Sequence, residues 1–90
     1  MGVLGYFSRL ARNTELMQEM FSRVGINGWF AQNPHGSEVL RRAALRCGNC
    51  THDAECAQWL EDHATADAAP DFCRNHDLVE RIVRDLQSPA

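Results

Sequence analysis

Residues 47–60, Cys-Gly-Asn-Cys-Thr-His-Asp-Ala-Glu-Cys-Ala-Gln-Trp-Leu, decide how this chain is to be read. Three cysteines stand there as Cys47-x2-Cys50-x5-Cys56, and the fourth, Cys73, follows in Ala-Pro-Asp-Phe-Cys-Arg-Asn, residues 69–75. Gly48 and Asn49 both tolerate a positive φ, so the step from Cys47 to Cys50 reads as a tight turn whose backbone N–H groups point inward. Thr51 is a natural cap for a helix over residues 52–62. On that helix Cys56, Trp59 and Leu60 are three and four apart and share a face, which aims Cys56 inward beside an aromatic shield.

Upstream, Ser37 caps a helix running to about residue 46 and delivering Cys47 at its end. Its apolar arc is Val39, Leu40, Ala43 and Ala44, and Arg41, Arg42 and Arg46 lie on the other side. Before it, Asn27-Gly28 and Asn33-Pro34-His35-Gly36 punctuate a connection, with room for a short helical turn, from which Trp29 and Phe30 fold back onto the core. Asn13 or Thr14 caps a first helix carrying Leu16, Met17, Met20, Phe21 and Val24 at helical spacing, stopped by Gly25. Core packing explains Met17 and Met20 better than an adaptable binding surface.

Downstream, residues 64–69 are small and polar and read as an exposed loop. Asn75 caps a last helix whose narrow apolar face is Leu78, Val79, Ile82, Val83 and Leu86. No strand-like alternation and no repeat interrupts the pattern. The expected architecture is all-α, a small bundle of about four helices around the cysteines. Residues 1–12 are expected as a partly ordered N-terminal segment, 13–87 as one helical four-cysteine domain and 88–90 as a frayed tail.

Ninety residues make one domain near the lower end of what an apolar core stabilises, so a metal staple would help such a chain most. With 44% hydrophobic and 23% charged residues the composition is that of a folded protein. The formal net charge of −3 argues against a general nucleic-acid binder. All nine basic residues are arginine. A coding bias accounts for that, while Arg41, Arg42, Arg46 and Arg74 also stand close enough to the cysteines to balance an anionic centre or dock an acidic partner. The first residues carry no basic run and Tyr6 occupies the place where a myristoylation motif needs Ser or Thr, so neither a secretory signal nor lipidation is expected. No segment is long enough to span a membrane. A cytoplasmic location, where thiols stay reduced, is the expectation, and it favours metal over disulfides.

Three chemistries suit the cysteines. A [4Fe–4S] cluster needs four converging thiolates, here Cys47, Cys50, Cys56 and Cys73, with N–H donors from the Gly48–Asn49 turn, shields such as Trp59 and Phe72, and cations such as Arg46 and Arg74 nearby. Structural zinc accepts the same four residues, or Cys47 and Cys50 paired with Cys73-x2-His76, which frees Cys56. His76 at a helix start also reads as a plain first-turn polar residue. A thiol/disulfide redox protein is the third reading, although Cys47 follows a helix, the wrong end for lowering a thiol pKa. His35, His52 and His63 have no second ligand at convincing spacing. No Ser-His-Asp set, phosphate loop or carboxylate pair can be argued, so an enzyme is not expected and a protein partner is.

Two resemblances follow from these residues. Cys47-x2-Cys50-x5-Cys56 resembles three ligands of the cluster loop in the endonuclease III class of DNA glycosylases; it brings no glycosylase catalytic residue, so it implies the cofactor and not a repair activity. The chain as a whole resembles an uncharacterised family of short bacterial helical proteins with four cysteines. The likeness lies in Leu16 to Asn27, in Leu45 to Cys50 with Cys56 to Leu60, and in Ala69 to Asn75. Relatives often carry Pro after the last cysteine, where this chain has Arg74. That family is a domain of unknown function, so the resemblance implies an architecture and a four-cysteine pattern without an activity.

Overall fold

The computed structural model describes residues 2–88, and for residues 2–4, 6 and 7 the backbone alone. Five helices follow in order: α1 (Gly2–Val24), α2 (Asn27–Gln32), α3 (Gly36–Gly48), α4 (Asp53–Asp62) and α5 (His76–Gln87). Among the described residues there is no strand, and the protein is all-α. No described helix is long and apolar enough to cross a membrane.

The first helix does not start at Asn13 or Thr14 but at Gly2. Neither residue acts as a cap. Thr14 lies mid-helix, its hydroxyl donating to the Leu10 carbonyl at 2.8 Å, the back-bonding that lets a threonine sit inside a helix. Asn13 is buried and its side chain looks away from its own helix. Gly25 does stop α1: it holds φ +83°, and its N–H donates to Phe21 and Ser22 carbonyls.

The connection between α1 and α3 is itself helical, which makes α2 the fifth helix. Its Phe30 stacks on Phe21 with ring centroids 5.3 Å apart, and Trp29 meets Phe30 edge-on at 5.2 Å. Both aromatic residues thus return to the core. Around them Met17, Met20, Ile26, Ala43, Leu60, Val79 and Ile82 are buried. The two methionines are 2% and 1% exposed, which makes them core residues. α1 packs on α3 and α4, and α2 lies against α3. On α5 the buried residues are Val79 and Ile82, while Leu86 is 49% exposed because the last turn runs beyond the core. In the 64–69 loop Ala69 is buried, contrary to a fully exposed loop, and Ala66 donates its N–H to Arg23 of α1.

None of the expected side-chain caps forms. Position N-cap is His35 for α3, His52 for α4 and Asn75 for α5, and no side chain there accepts a capping hydrogen bond. At the far end Ser88 closes α5, its N–H and hydroxyl both donating to Arg84. The rest of the expected frayed tail, Pro89 and Ala90, lies outside the described residues.

α3 starts close against the end of α2, at Gly36. A Cβ on Gly36 would collide with the backbone carbonyl of Phe30, which cannot swing aside as a side chain can. Gly36→Ala is therefore expected to destabilise by about 1–3 kcal/mol. In a domain this size that lowers the melting temperature by roughly 4–8 °C per kcal/mol, read by circular dichroism. Gly48→Ala meets only the end of the Leu10 side chain and should lose less. Equal melting of Gly36→Ala and the parent would contradict this packing.

Candidate metal centre

Four separate segments bring the thiols to one place. Cys47 sits in the last turn of α3, Cys50 in the turn after it, Cys56 in the first turn and a half of α4, and Cys73 in the loop before α5. All four line a single cavity, together with Asn13, Leu16, Met17 and Met20 of α1 and with Asp53, Phe72 and Arg74. The space open to the centres of water-sized spheres is about 30 Å3. Adding a water radius of about 1.4 Å all round gives an object roughly 7 Å across, the size of an ion or a small inorganic cluster and not of an organic cofactor.

All four cysteines are free thiols and half-buried. Among the described residues no three of them hold their sulfurs within 4.8 Å of one another. That spacing matters, because four bonds of about 2.3 Å to one tetrahedral zinc put the sulfurs only about 3.8 Å apart. In a cubane each thiolate binds a different corner iron, so the ligands stand wider.

Three of the sulfurs face N–H donors. The His52 backbone N–H donates to Cys50 Sγ at 3.4 Å, and Asn75 Nδ2 donates to Cys47 Sγ at 3.2 Å. The Asn75 backbone N–H faces Cys73 and partly offsets the effect of its burial. Donors of this kind favour the anionic sulfur over the thiol.

Without a cation the cavity favours the protonated form of Cys47, Cys56 and Cys73. Burial, then repulsion from Cys73, pushes the Cys47 thiol from 9.0 up to about 12, against the opposing Asn75 hydrogen bond. Burial and then Cys73 push Cys56 to about 11, and burial raises Cys73 as well. Each thiolate raises the cost of the next, as for any set of like charges in low dielectric. Arg74 is the single cationic residue in the lining, and Asp53 opposes it.

The expected surroundings are partly rearranged. Phe72 and Arg74 line the cavity, and Phe72 leans on the His52 ring at 5.3 Å. Gly48 and Asn49 do not form a positive-φ turn: Gly48 ends α3, Asn49 has φ −99°, and its N–H donates to Arg46 and Cys47 carbonyls. The donor to Cys50 comes instead from His52. Trp59 is outside the lining, stacked on His63 at 4.5 Å. Arg46 lines a groove on the other side of α3. His76 starts α5 outside the cysteine cavity, its ring nitrogens 3.6 Å from Asp71 and Asp77.

Two residues of the site are ones whose local sequence suggests only helix caps. Asn13 Nδ2 donates to the Cys47 carbonyl at 2.9 Å, and Asn75 Nδ2 also donates to the Ala43 carbonyl at 3.0 Å. Both asparagines are buried, and among the described residues the Oδ1 of each meets no protein donor. Helical spacing holds a signal for the first of them: Asn13, Leu16, Met17 and Met20 fall at i, i+3, i+4 and i+7, one face of α1.

A family profile described as "Family of unknown function (DUF6455)" matches residues 4–85. The chain therefore belongs to that family. No curated protein and no solved structure matches it.

The raised thiols give the metal-free chain an alkaline limit. A thiol that titrates higher folded than unfolded contributes stability that is complete below the unfolded value of 9.0 and disappears as pH rises through about 11 and 12. The chain has no lysine, so apart from Tyr6 and the amino terminus the thiols are what titrates there. Denaturant midpoints of the metal-free chain should hold level to about pH 9 and then fall, less steeply in Cys47→Ser. A flat profile to pH 12 would refute the buried-thiol assignment.

Proposed function

We propose that the protein binds one [4Fe–4S] cluster through Cys47, Cys50, Cys56 and Cys73 and works as a small redox protein, in electron transfer or in redox or oxygen sensing. The observation that carries the reading is the arrangement of the thiols: all four, from separate stretches of the chain, line one small cavity with N–H donors facing three of the sulfurs. When bound, such a group supplies one-electron chemistry at a potential set by its surroundings. Leu16, Met17 and Met20 supply an apolar wall, and His52 and Asn75 supply N–H donors that favour anionic sulfur. Arg74 places one positive charge at the rim. A reducing, cytoplasmic setting fits four free thiols, and a redox role implies a protein that gives or takes the electron.

Metal analysis tests this. Anaerobically purified protein should be brown, with about four irons and four sulfides per chain, as a cubane requires. Cys56→Ser should lose most of that iron, whereas His76→Ala should keep it. A colourless protein with one zinc per chain, or iron that survives Cys56→Ser and not His76→Ala, would sink the proposal.

A further inference from the structure

Residues of α3 and α5 line a groove on the surface. It consists of two adjoining hollows of about 460 and 420 Å3 that share Val39, Leu78 and Arg81. Val39, Leu78 and Ile82 give it an apolar floor. Arg42, Arg46, Arg74 and Arg81 surround the first hollow, with Asp77 the one acid among its lining residues. At the far end the indole N–H of Trp29 donates to Asp85 at 2.8 Å and ties α2 to α5.

The charges of this groove are unspent. Arg42 pairs with Glu38 at 2.9 Å on its own helix, but among the described residues Arg46, Arg74 and Arg81 make no ion pair. A chain of net charge −3 thus concentrates positive charge on one concave face. Guanidinium groups bind carboxylates through two parallel hydrogen bonds, and an apolar floor under a charged rim is how helix-in-groove recognition is built.

We propose that the α3/α5 groove docks an acidic amphipathic helix of another protein, its apolar face on Val39 and Leu78 and its carboxylates on Arg46, Arg74 and Arg81. Charge complementarity selects this occupant. Asp77 and Asp85 stand among the lining and repel a continuous phosphate backbone, whereas a helix can place its carboxylates selectively against the arginines. Arg74 also lines the cysteine cavity, so a helix bound here lies beside the thiols. The docking does not depend on what the thiols hold.

The probe is a labelled synthetic helix of about three turns, matching the roughly 18 Å length of α5, with Leu on one face and Glu on the other. Its controls are the same peptide with Gln for Glu and a labelled single-stranded DNA. Fluorescence anisotropy with the full chain should show the Glu peptide binding best and weakening with salt. Arg46 and Arg81 are exposed, so R46E/R81E should melt like the parent and yet bind the Glu peptide about tenfold or more weakly. The proposal is overturned if the Glu peptide does not bind, if the Gln peptide binds equally well, if R46E/R81E binds unchanged, or if the DNA binds more tightly. It is also overturned if sedimentation shows a dimer that R46E/R81E separates, since the groove would then receive a second copy of this chain.

Discussion

Asn75 holds the cysteine cavity together. Its side-chain amide reaches 32 residues back in sequence to the Ala43 carbonyl and also meets the sulfur of Cys47, while its backbone N–H faces Cys73. One buried residue at the start of α5 thereby fixes the last turns of α3 and the approach of the loop that carries the fourth cysteine. Asn13 does the corresponding work from α1, gripping the Cys47 carbonyl from the opposite side. With the end of α3 held from both sides, Cys50 follows in the next turn and α4 begins at Asp53.

This arrangement costs stability in the metal-free chain. Each asparagine leaves a buried Oδ1 without a protein donor among the described residues, a penalty of about 1–3 kcal/mol apiece. Burial disfavours the thiolates of Cys47, Cys56 and Cys73, and the repulsion of neighbouring thiolates adds to that cost. The donors nevertheless face the sulfurs, where they favour the charged form. A cationic group bound by the thiolates would offset both the burial and the repulsion, and its binding energy would add to a core of modest size.

Much of this was legible in the sequence. Helical periodicity located the cores of α1, α3, α4 and α5, and Met17, Met20, Phe30 and Val79 are buried as the spacing requires. Gly25 stops its helix because a positive φ there is cheap for glycine. What sequence rules could not reveal was where Asn13 and Asn75 point. Asparagine suits a cap locally, but the partners of these two lie 34 and 32 residues away, and tertiary demand for a buried donor prevailed over the local preference. The same locality reduced α2 to no more than room for a short helical turn, because its Asn27-Gly28 start and Asn33-Pro34 exit both look like turns. Gly48 and Asn49 likewise ended a helix where a tight turn was expected, because the α3 ladder continues through Gly48.

The chemistry we propose for the site is that of thiolates on an inorganic centre, with Leu16, Met17 and Met20 of α1 and Arg74 in the lining. Family membership supplies no activity of its own, so the proposal rests on the four thiols sharing one cavity and on the donors that face them. X-ray absorption at the metal edges of anaerobically isolated protein reads the identity of that centre directly. The account predicts iron with a shell of sulfur neighbours and a second shell of iron, as in a cubane. A zinc edge with four light or sulfur neighbours and no metal–metal scattering would contradict it.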